Sequence, residues 1–215
     1  CCSLMDVFIS MPAPLSQRQI VHDHLAQHGM ARMGEMREKG VTGATLSRME
    51  HAGEIVRLAR GLYQKADADL VAEHSLAEAA KRAPKGIICL TSALAFHGLT
   101  VQMPRSIWMA FTKTEWFPRT GQPPIRGVRF TDAYLDHGIE IHRIEGVPVR
   151  VFGIAKTIAD CFRNKRQVGI SIAIEGLQEA LRQRKVTPAQ IMVEAERGRV
   201  GKTILPYVEA LTANG

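Results

Sequence analysis

The stretch from residue 40 to residue 63 constrains the fold more than any other part of the sequence. Gly40 can close a preceding helix, Thr42 is a good N-cap for a new one, and Gly53 can end it. The letters that follow, EIVRLARGLYQ, predict two short strands joined by a turn at residues 59–61. Helix, turn, helix and two-stranded wing in this order are typical of a winged helix-turn-helix.

Helical spacing divides this predicted recognition helix into two faces. Leu46 and Met49 point to one side, where they can pack on neighbouring helices. The opposite face is small and polar with one long cation, which suits entry into the major groove of DNA. The predicted DNA-binding residues are Thr42, Ala44, Thr45, Ser47, Arg48 and His51 in the helix and Arg57 and Arg60 in the wing. The alternative is an ordinary helix and hairpin with a solvated face.

The formal net charge of the 215-residue chain is +7, and it is unevenly distributed. Residues 1–70 contain 8 basic and 8 acidic side chains, whereas residues 71–215 contain 20 and 13. A basic protein favours polyanionic partners, although a modest positive charge can also serve only solubility. Because the predicted winged helix is neutral, we expect it to act through placed side chains more than through bulk attraction.

Composition and cysteine usage exclude several classes of protein. The hydrophobic content of 46% indicates a folded chain, and no apolar run is long enough to cross a bilayer. Cys89 and Cys161 lie in apolar patterns, which predicts buried free thiols and fits a reducing cytoplasm. The absence of a CxxC pair excludes a zinc finger, and no cofactor is indicated. The first ten residues lack the basic start of a signal peptide. Cys1 in place of methionine suggests that they are an upstream extension, with Met11 as the expected natural start.

The sequence predicts an N-terminal extension at residues 1–15, a winged helix-turn-helix domain at 16–64, a linker at 65–70 and a C-terminal α+β domain at 71–215. In the first domain, helices are predicted from residue 16 to about 27 and from 30 to 39, before the recognition helix. His24 and His28 share a helix face, but no third ligand is near them in the sequence. We therefore interpret them as a histidine pair and not as a metal site.

The second domain is predicted to contain helices at residues 71–82 and 84–98, then short strands, then further helices. The fold class is thus α+β: a winged helix-turn-helix followed by a mixed domain with a small, mostly antiparallel sheet and flanking helices. Its hairpin allows two registers. A two-residue loop pairs Ile141 with Arg150, and a three-residue loop pairs Ile141 with Val149. We prefer the second, because it keeps one face apolar, and Pro148 predicts an edge or bulged strand.

Other motifs suggest sites but do not complete one. GRVGKT at residues 198–203 is similar to a phosphate loop, but position 196 is Glu196 where that motif requires glycine, so nucleotide binding by such a loop is rejected. Lys156 and Asp160 lie one helical turn apart, as a lysine and acid of a site or as a surface ion pair, and the structural pair is favoured.

Ser92 and His97 are five residues apart, which favours separate hydrogen-bonding roles over a catalytic pair. Trp116 lies among cations and can stack on a base, but a packed tryptophan is favoured. No nucleophile, base and orienting group can be assembled from spacing, so the sequence predicts that the protein is not an enzyme.

Three segments, taken in order, resemble the AbiEi family of type IV antitoxins, which are bacterial phage-defence transcriptional regulators. The segments are LSRMEHAGEIVRLARGLY, GIICLTSALAFHGLT and GIEIHRIEGVPVRVFGIAKTIADCFRNKRQVG, and the resemblance covers about residues 16–210. It implies a DNA-binding antitoxin that binds double-stranded promoter DNA through its winged helix and represses its own operon. It also implies a nucleotidyltransferase-like toxin as functional partner, which is opposed with or without direct contact, and a C-terminal domain linked to toxin neutralisation.

Two alternatives remain open at this stage. One is a nucleic-acid-processing enzyme that is targeted by the winged helix and has a site in residues 84–165. The other is an interaction module whose second domain holds a protein toxin.

Overall fold

The computed structural model describes residues 15–68 and 71–213, so the predicted extension before residue 15, with Met11, and part of the predicted linker lie outside the described residues. The helices are α1 (Gln17–His28), α2 (Met33–Glu38), α3 (Gly43–His51), α4 (His74–Arg82), α5 (Leu90–Phe96), α6 (Asp132–Leu135), α7 (Ile154–Arg163), α8 (Lys165–Val168), α9 (Ile170–Arg182), α10 (Pro188–Arg197) and α11 (Gly201–Thr212). The strands are β1 (Met30–Arg32), β2 (Ile55–Ala59), β3 (Leu62–Lys65), β4 (Ile87–Ile88), β5 (Ile107–Phe111), β6 (Ile125–Arg129), β7 (Ile139–Ile144) and β8 (Val147–Phe152).

The N-terminal unit, α1 to β3, has the predicted winged-helix order with one strand more. The predicted helix at residues 30–39 is wrong at its start, because Met30–Arg32 forms β1 and pairs antiparallel with β3. Met30 and Ala31 are fully buried by this pairing, so tertiary contacts override the helical pattern. The wing sheet therefore has the order β1-β3-β2.

Local sequence signals define the start and the end of α3, the helix predicted to be the recognition helix. Gly40 has a φ of +80°, a left-handed conformation that lets the chain turn between α2 and α3. The Thr42 hydroxyl accepts a hydrogen bond from the backbone N–H of Thr45 at 3.3 Å, as an N-cap does. Leu46 and Met49 are buried in one cluster with residues of α1, α2 and the wing. This confirms the predicted direction of the apolar face.

The C-terminal unit is built on a five-stranded sheet with the order β6-β5-β4-β8-β7. The helix predicted from residue 84 is wrong over its first part, since Ile87 and Ile88 form β4 and α5 begins at Leu90. A strand of two residues is too short to show alternation, and only its partners on β5 and β8 define it. The pairs β4–β5 and β7–β8 are antiparallel, whereas β5–β6 and β4–β8 are parallel. The α+β class is confirmed, with parallel pairings that sequence spacing did not reveal.

The preferred register of the β7–β8 hairpin is wrong. Ile141 pairs with Arg150, which is the two-residue-loop alternative. Glu145 and Gly146 occupy the turn with φ of +49° and +77°, as a type I′ turn requires. The assumption of one apolar face fails because the Ile141 side chain is 70% exposed.

The position of Pro148 also differs from the prediction, because β8 is not an edge strand but lies between β4 and β7. The short β4 pairs with β8 at Val151. Pro148 lies three residues before that point, so its missing N–H does not interrupt the β4 pairing. Proline is tolerated wherever no ladder donor is needed.

Successive residues of the central strands face two different cores. Trp108 and Ala110 point to a large cluster formed with α5, α7, α9, α10 and α11. Cys89 and Cys161 lie in that cluster as buried free thiols, as predicted, and burial raises the pKa of both thiols. Met109 points to the opposite side, where α4 packs. The sheet is therefore covered by helices on both faces.

The second of these cores also contains residues of the wing. Met30 of β1 and Leu62 of β3 are buried in the same cluster as α4 and the β7–β8 hairpin. The two units thus share apolar packing, and the division into domains at residues 64 and 71 stays a prediction. Within residues 15–68 and 71–213, none of the helices combines the length and apolarity that spanning a membrane would require.

Glu145, at the tip of the hairpin, joins the two units by hydrogen bonds. Its carboxylate accepts hydrogen bonds from the Gln64 side chain at 3.1 Å and from the Val71 backbone N–H at 3.0 Å. It also lies 2.9 Å from Nδ1 of His74, and its side chain is only 7% exposed. Gly29 packs so closely on this turn that a Cβ there would lie 1.6 Å from the carbonyl oxygen of Glu145.

Candidate nucleic-acid interface

The outer face of α3 is exposed and is formed by five of the predicted residues. They are Thr42, Ala44, Ser47, Arg48 and His51. The helix ends at its C-cap Ala52, and Gly53 follows with a φ of +71°. The result is a short helix that presents small and polar groups along its full length, with Arg48 as its one arginine.

Thr45 is not part of this exposed face. Its side chain is buried, and its hydroxyl donates to Oε1 of Gln17 at 2.6 Å. The Thr45 hydroxyl oxygen also accepts a hydrogen bond from the Arg48 guanidinium at 3.3 Å. Thr45 therefore connects α1 to the guanidinium of Arg48. The sequence analysis had instead grouped Thr45 with the residues that contact DNA bases.

Gln17 is a residue of this region that sequence reasoning missed. Besides Thr45, its Oε1 accepts from the backbone N–H of Thr42 at 3.1 Å and from the Thr42 hydroxyl at 3.2 Å. It holds the first turn of α1 against the start of α3. The Ser16 N-cap does place Gln17 in that first turn, but no spacing rule reveals a partner 25 residues away.

Arg48 is held in position without being buried. Its Nε donates to the Ala44 carbonyl oxygen at 3.4 Å, in addition to the bond to Thr45. A guanidinium oriented in advance loses less side-chain freedom when it binds a base edge or a phosphate. Arg48 also lines a cleft of about 540 Å³ between the start of α1 and α3.

Arg18 and Glu54 line the other side of this cleft and form an ion pair at 2.6 Å. Hydrogen bonds from His22 and Arg18 hold the pKa of the Glu54 carboxyl below its ordinary value. The pair places a second arginine beside the recognition helix, but one whose charge is already balanced.

His51 has a defined tautomer in its neutral form. Its Nδ1 lies 2.7 Å from the carbonyl oxygen of Ser47, and a carbonyl can only accept, so Nδ1 carries the proton. The exposed Nε2 of the neutral ring is then a hydrogen-bond acceptor. Such an acceptor matches the amino groups of adenine and cytosine in the major groove.

The wing presents the two remaining predicted residues to solvent. Arg57 and Arg60 are both exposed, and Gly61 has a φ of +70° at the turn between β2 and β3. The pairing shifts between Arg57 and Ala59, so the end of the wing twists. β2 packs against α3, which keeps the wing next to the recognition helix.

The polar residues singled out in the C-terminal unit have structural partners. Lys156 and Asp160 are 1% and 0% exposed, so the expectation of a surface pair is wrong. The Lys156 ammonium donates to the carbonyl oxygen of Tyr134 at 2.7 Å, and the Tyr134 hydroxyl donates to Asp160 at 2.7 Å. Burial raises the pKa of Asp160 to about 6 and lowers that of Lys156.

Ser92 and His97 have separate partners, as predicted. The Ser92 hydroxyl accepts from the backbone N–H of Trp108 at 2.9 Å, and Nε2 of His97 donates to the Phe152 carbonyl oxygen at 2.8 Å. Trp116 is 80% exposed, so the favoured interpretation of a packed tryptophan is wrong. Across the part of the chain that the structure describes, no group of three or more His, Cys, Asp or Glu side chains is placed to hold a metal ion.

Comparison with known proteins agrees with the winged-helix geometry. Residues 19–64 match a family model described as a transcriptional regulator, AbiEi antitoxin. This confirms the resemblance inferred from the sequence over the N-terminal unit, which is thus similar to a DNA-binding regulator. No curated protein matches the sequence significantly.

A similar fold occurs in a solved structure, the crystal structure of RV2827C protein from Mycobacterium tuberculosis. The TM-score is 0.54 at 12% identity, and the match covers 92% of this chain and 80% of that chain. The likeness concerns the fold, and it extends over both the winged helix and the C-terminal unit.

Proposed function

We propose that this protein is a DNA-binding antitoxin of a type IV toxin-antitoxin system, acting in the cytoplasm. It represses its own operon and counteracts a nucleotidyltransferase-like toxin in phage defence. The observation that carries this proposal is the exposed polar face of α3, with Arg48 oriented by Thr45, on a unit that matches AbiEi transcriptional regulators.

In the proposed complex α3 enters the major groove of double-stranded promoter DNA. Arg48 reads a base edge, a guanine being the best match for its two-pronged donor set. His51 accepts from a neighbouring amino group, and Arg57 and Arg60 contact phosphates or the minor groove. Because residues 1–70 carry no net charge, sequence readout depends on these few side chains.

The test is a fluorescence anisotropy titration of the full chain on a labelled duplex from the promoter of its own operon. Arg48→Ala is expected to weaken binding by about 1–3 kcal/mol, the usual value of one good base contact. The matched control is Arg37→Ala, which removes the same charge from an exposed position on α2. Equal affinities for wild type and Arg48→Ala, or equal losses in both variants, would contradict the assignment of α3 as the reading helix.

The antitoxin role is tested by expressing the protein together with the product of the adjacent gene. We expect growth to be restored by wild type and also by Arg48→Ala, since toxin neutralisation is proposed to reside in the C-terminal unit. Toxicity that persists with wild-type protein would refute the role. Co-purification of the two products would distinguish a toxin-holding module from an antitoxin that opposes the effect of the toxin without binding it.

A further inference from the structure

The C-terminal unit contains a basic cavity that the proposed DNA-binding role does not use. Its volume is about 640 Å³, and none of its lining residues belongs to the winged helix. Three separate parts of the chain meet there: the segment around α6, the end of α7 and the end of α10. The described lining residues include the arginines Arg163, Arg197 and Arg199 and no carboxylate.

Arg163 is held at the cavity by cation–π contacts with two aromatic rings. Its guanidinium carbon lies 4.5 Å from the ring centre of Tyr134 and 5.6 Å from that of Phe130. Among the described residues no carboxylate lies within ion-pair distance of it. These cation–π contacts hold the guanidinium against the two rings, and it also interacts with the Tyr134 hydroxyl and with the charge of Asp160.

Arg199 is held by its backbone. Its φ is +56° at the position after the C-cap of α10, where the Val200 N–H donates to the Ala195 carbonyl oxygen at 2.8 Å, as at many helix ends. Within residues 15–68 and 71–213, its side chain takes part in no ion pair. The preceding Gly198 is buried, and a Cβ there would lie 3.0 Å from the Tyr134 hydroxyl oxygen. This helix end places Gly198 and Arg199 in the lining of the cavity together with Tyr134.

Arg197 has an acidic partner within ion-pair distance. It pairs with Glu194 at 3.1 Å, and the same carboxylate lies 2.9 Å from Nε2 of His137. The pair orients Arg197 and offsets part of its charge. The cavity therefore has two arginines that are already positioned, Arg163 and Arg197, and a third, Arg199, that takes part in no ion pair with the described residues.

We propose that this cavity binds the phosphate groups of a nucleotide. Arginine donors match phosphate oxygens in pairs, and three arginines suit a diphosphate or triphosphate better than a single phosphate. The volume lies within the range of about 300–1,000 Å³ that is usual for small-ligand sites, and the concave shape favours a small ligand over a duplex. The chemistry differs from that of a phosphate loop, because side-chain guanidiniums and not backbone N–H groups would hold the anion.

The test is isothermal titration calorimetry of the full chain with ATP, UTP, pyrophosphate and, as a ligand without phosphate, adenosine. We expect both triphosphates and pyrophosphate to bind and adenosine not to bind. Arg199→Gly and Arg163→Ala should each weaken binding about tenfold or more, because each removes a charge-assisted pair of hydrogen bonds. Glycine suits the positive φ at position 199, so Arg199→Gly is expected to fold as wild type does.

The control is Arg105→Ala, which removes the same charge from an exposed position outside the cavity. Absence of binding by every phosphate ligand, or an equal loss in Arg105→Ala, would overturn the proposal. So would a change confined to duplex DNA binding in Arg199→Gly, since the cavity would then be part of a DNA surface. Arg48→Ala should retain nucleotide binding, which separates this test from that of the DNA-binding role.

Discussion

Glu145 provides the sharpest test of how the two units are joined. Its buried carboxylate receives hydrogen bonds from three donors on two separate segments: the side chain of Gln64, the backbone of Val71 and the ring of His74. Glu145→Ala removes the acceptor for all of them at once. Gln64 is 2% exposed, so water cannot easily replace the lost partner there.

The expected decrease in the free energy of unfolding follows from these contacts. Leaving a buried donor unsatisfied costs about 1–3 kcal/mol, whereas the His74 ring, which is 20% exposed at the side chain, can recover part of its loss from water. We therefore expect Glu145→Ala to lower the free energy of unfolding by about 2–4 kcal/mol. In a protein of this size that corresponds to a decrease of roughly 5–15 °C in the melting temperature.

Urea denaturation measures this change, followed both by far-ultraviolet circular dichroism and by the fluorescence of the buried Trp108. The matched control is Glu140→Ala on the same hairpin, where the carboxylate is exposed and lies 3.0 Å from the His142 ring. The control should stay within about 0.5 kcal/mol of wild type. If Glu145→Ala also stays within that range, the hydrogen bonds at the hairpin tip do not hold the two units together.

Three further outcomes follow from other contacts. Gly29→Ala should destabilise by more than about 3 kcal/mol or prevent folding, as judged by urea midpoints, because the methyl group would overlap the hairpin turn; Gly34→Ala, in open space on α2, should instead be neutral or stabilising by up to about 1 kcal/mol. Burial raises the pKa of the Asp160 carboxyl from 3.8 to about 6, so ionisation is costlier in the folded state and its contribution to stability falls as pH rises through this window. The free energy of unfolding of wild type, measured by urea titration and compared with that of Asp160→Asn, should therefore fall by up to about 3 kcal/mol between pH 4 and pH 7. Parallel pH profiles of the two proteins would refute the raised pKa. Thr45→Val should weaken promoter binding by about two- to fivefold in anisotropy titrations without altering the exposed face, because Arg48 loses one of its two supporting hydrogen bonds; unchanged affinity would show that this support is unnecessary.

The features that the sequence predicted correctly depend on local signals. The N-cap Thr42, the left-handed Gly40 and the helical spacing of Leu46 and Met49 act within a few residues of one another. They define α3 whatever lies around it, and the wing turn at Gly61 is similarly local. The burial of the Cys89 and Cys161 thiols could be predicted from their apolar sequence neighbours alone.

The features that sequence missed depend on distant partners. β4 contains only two residues and is defined by strands that lie about 20 and 60 positions further along the chain. The hairpin has the register of a two-residue turn at Glu145 and Gly146, and Glu145 is bonded there by Gln64, which lies about 80 positions earlier, so an argument from apolar faces chose wrongly. Lys156 and Asp160 looked like a surface pair because Tyr134, which covers and bonds both, is remote in sequence. Thr45 turned inward for the same reason, since Gln17 is on another helix.

The burial of Met30 and Leu62 against α4 and the β7–β8 hairpin has a consequence for how such proteins can diversify. The stretch that matches a regulator family ends at residue 64, but its apolar surface continues into the neighbouring unit. The N-terminal unit is therefore not independent of the rest of the chain: joined to a different C-terminal unit, it would need another apolar surface to cover Met30 and Leu62. This shared packing also opposes rotation of the N-terminal unit relative to the C-terminal unit. In the proposed complex, the C-terminal unit therefore sets the angle at which α3 approaches DNA.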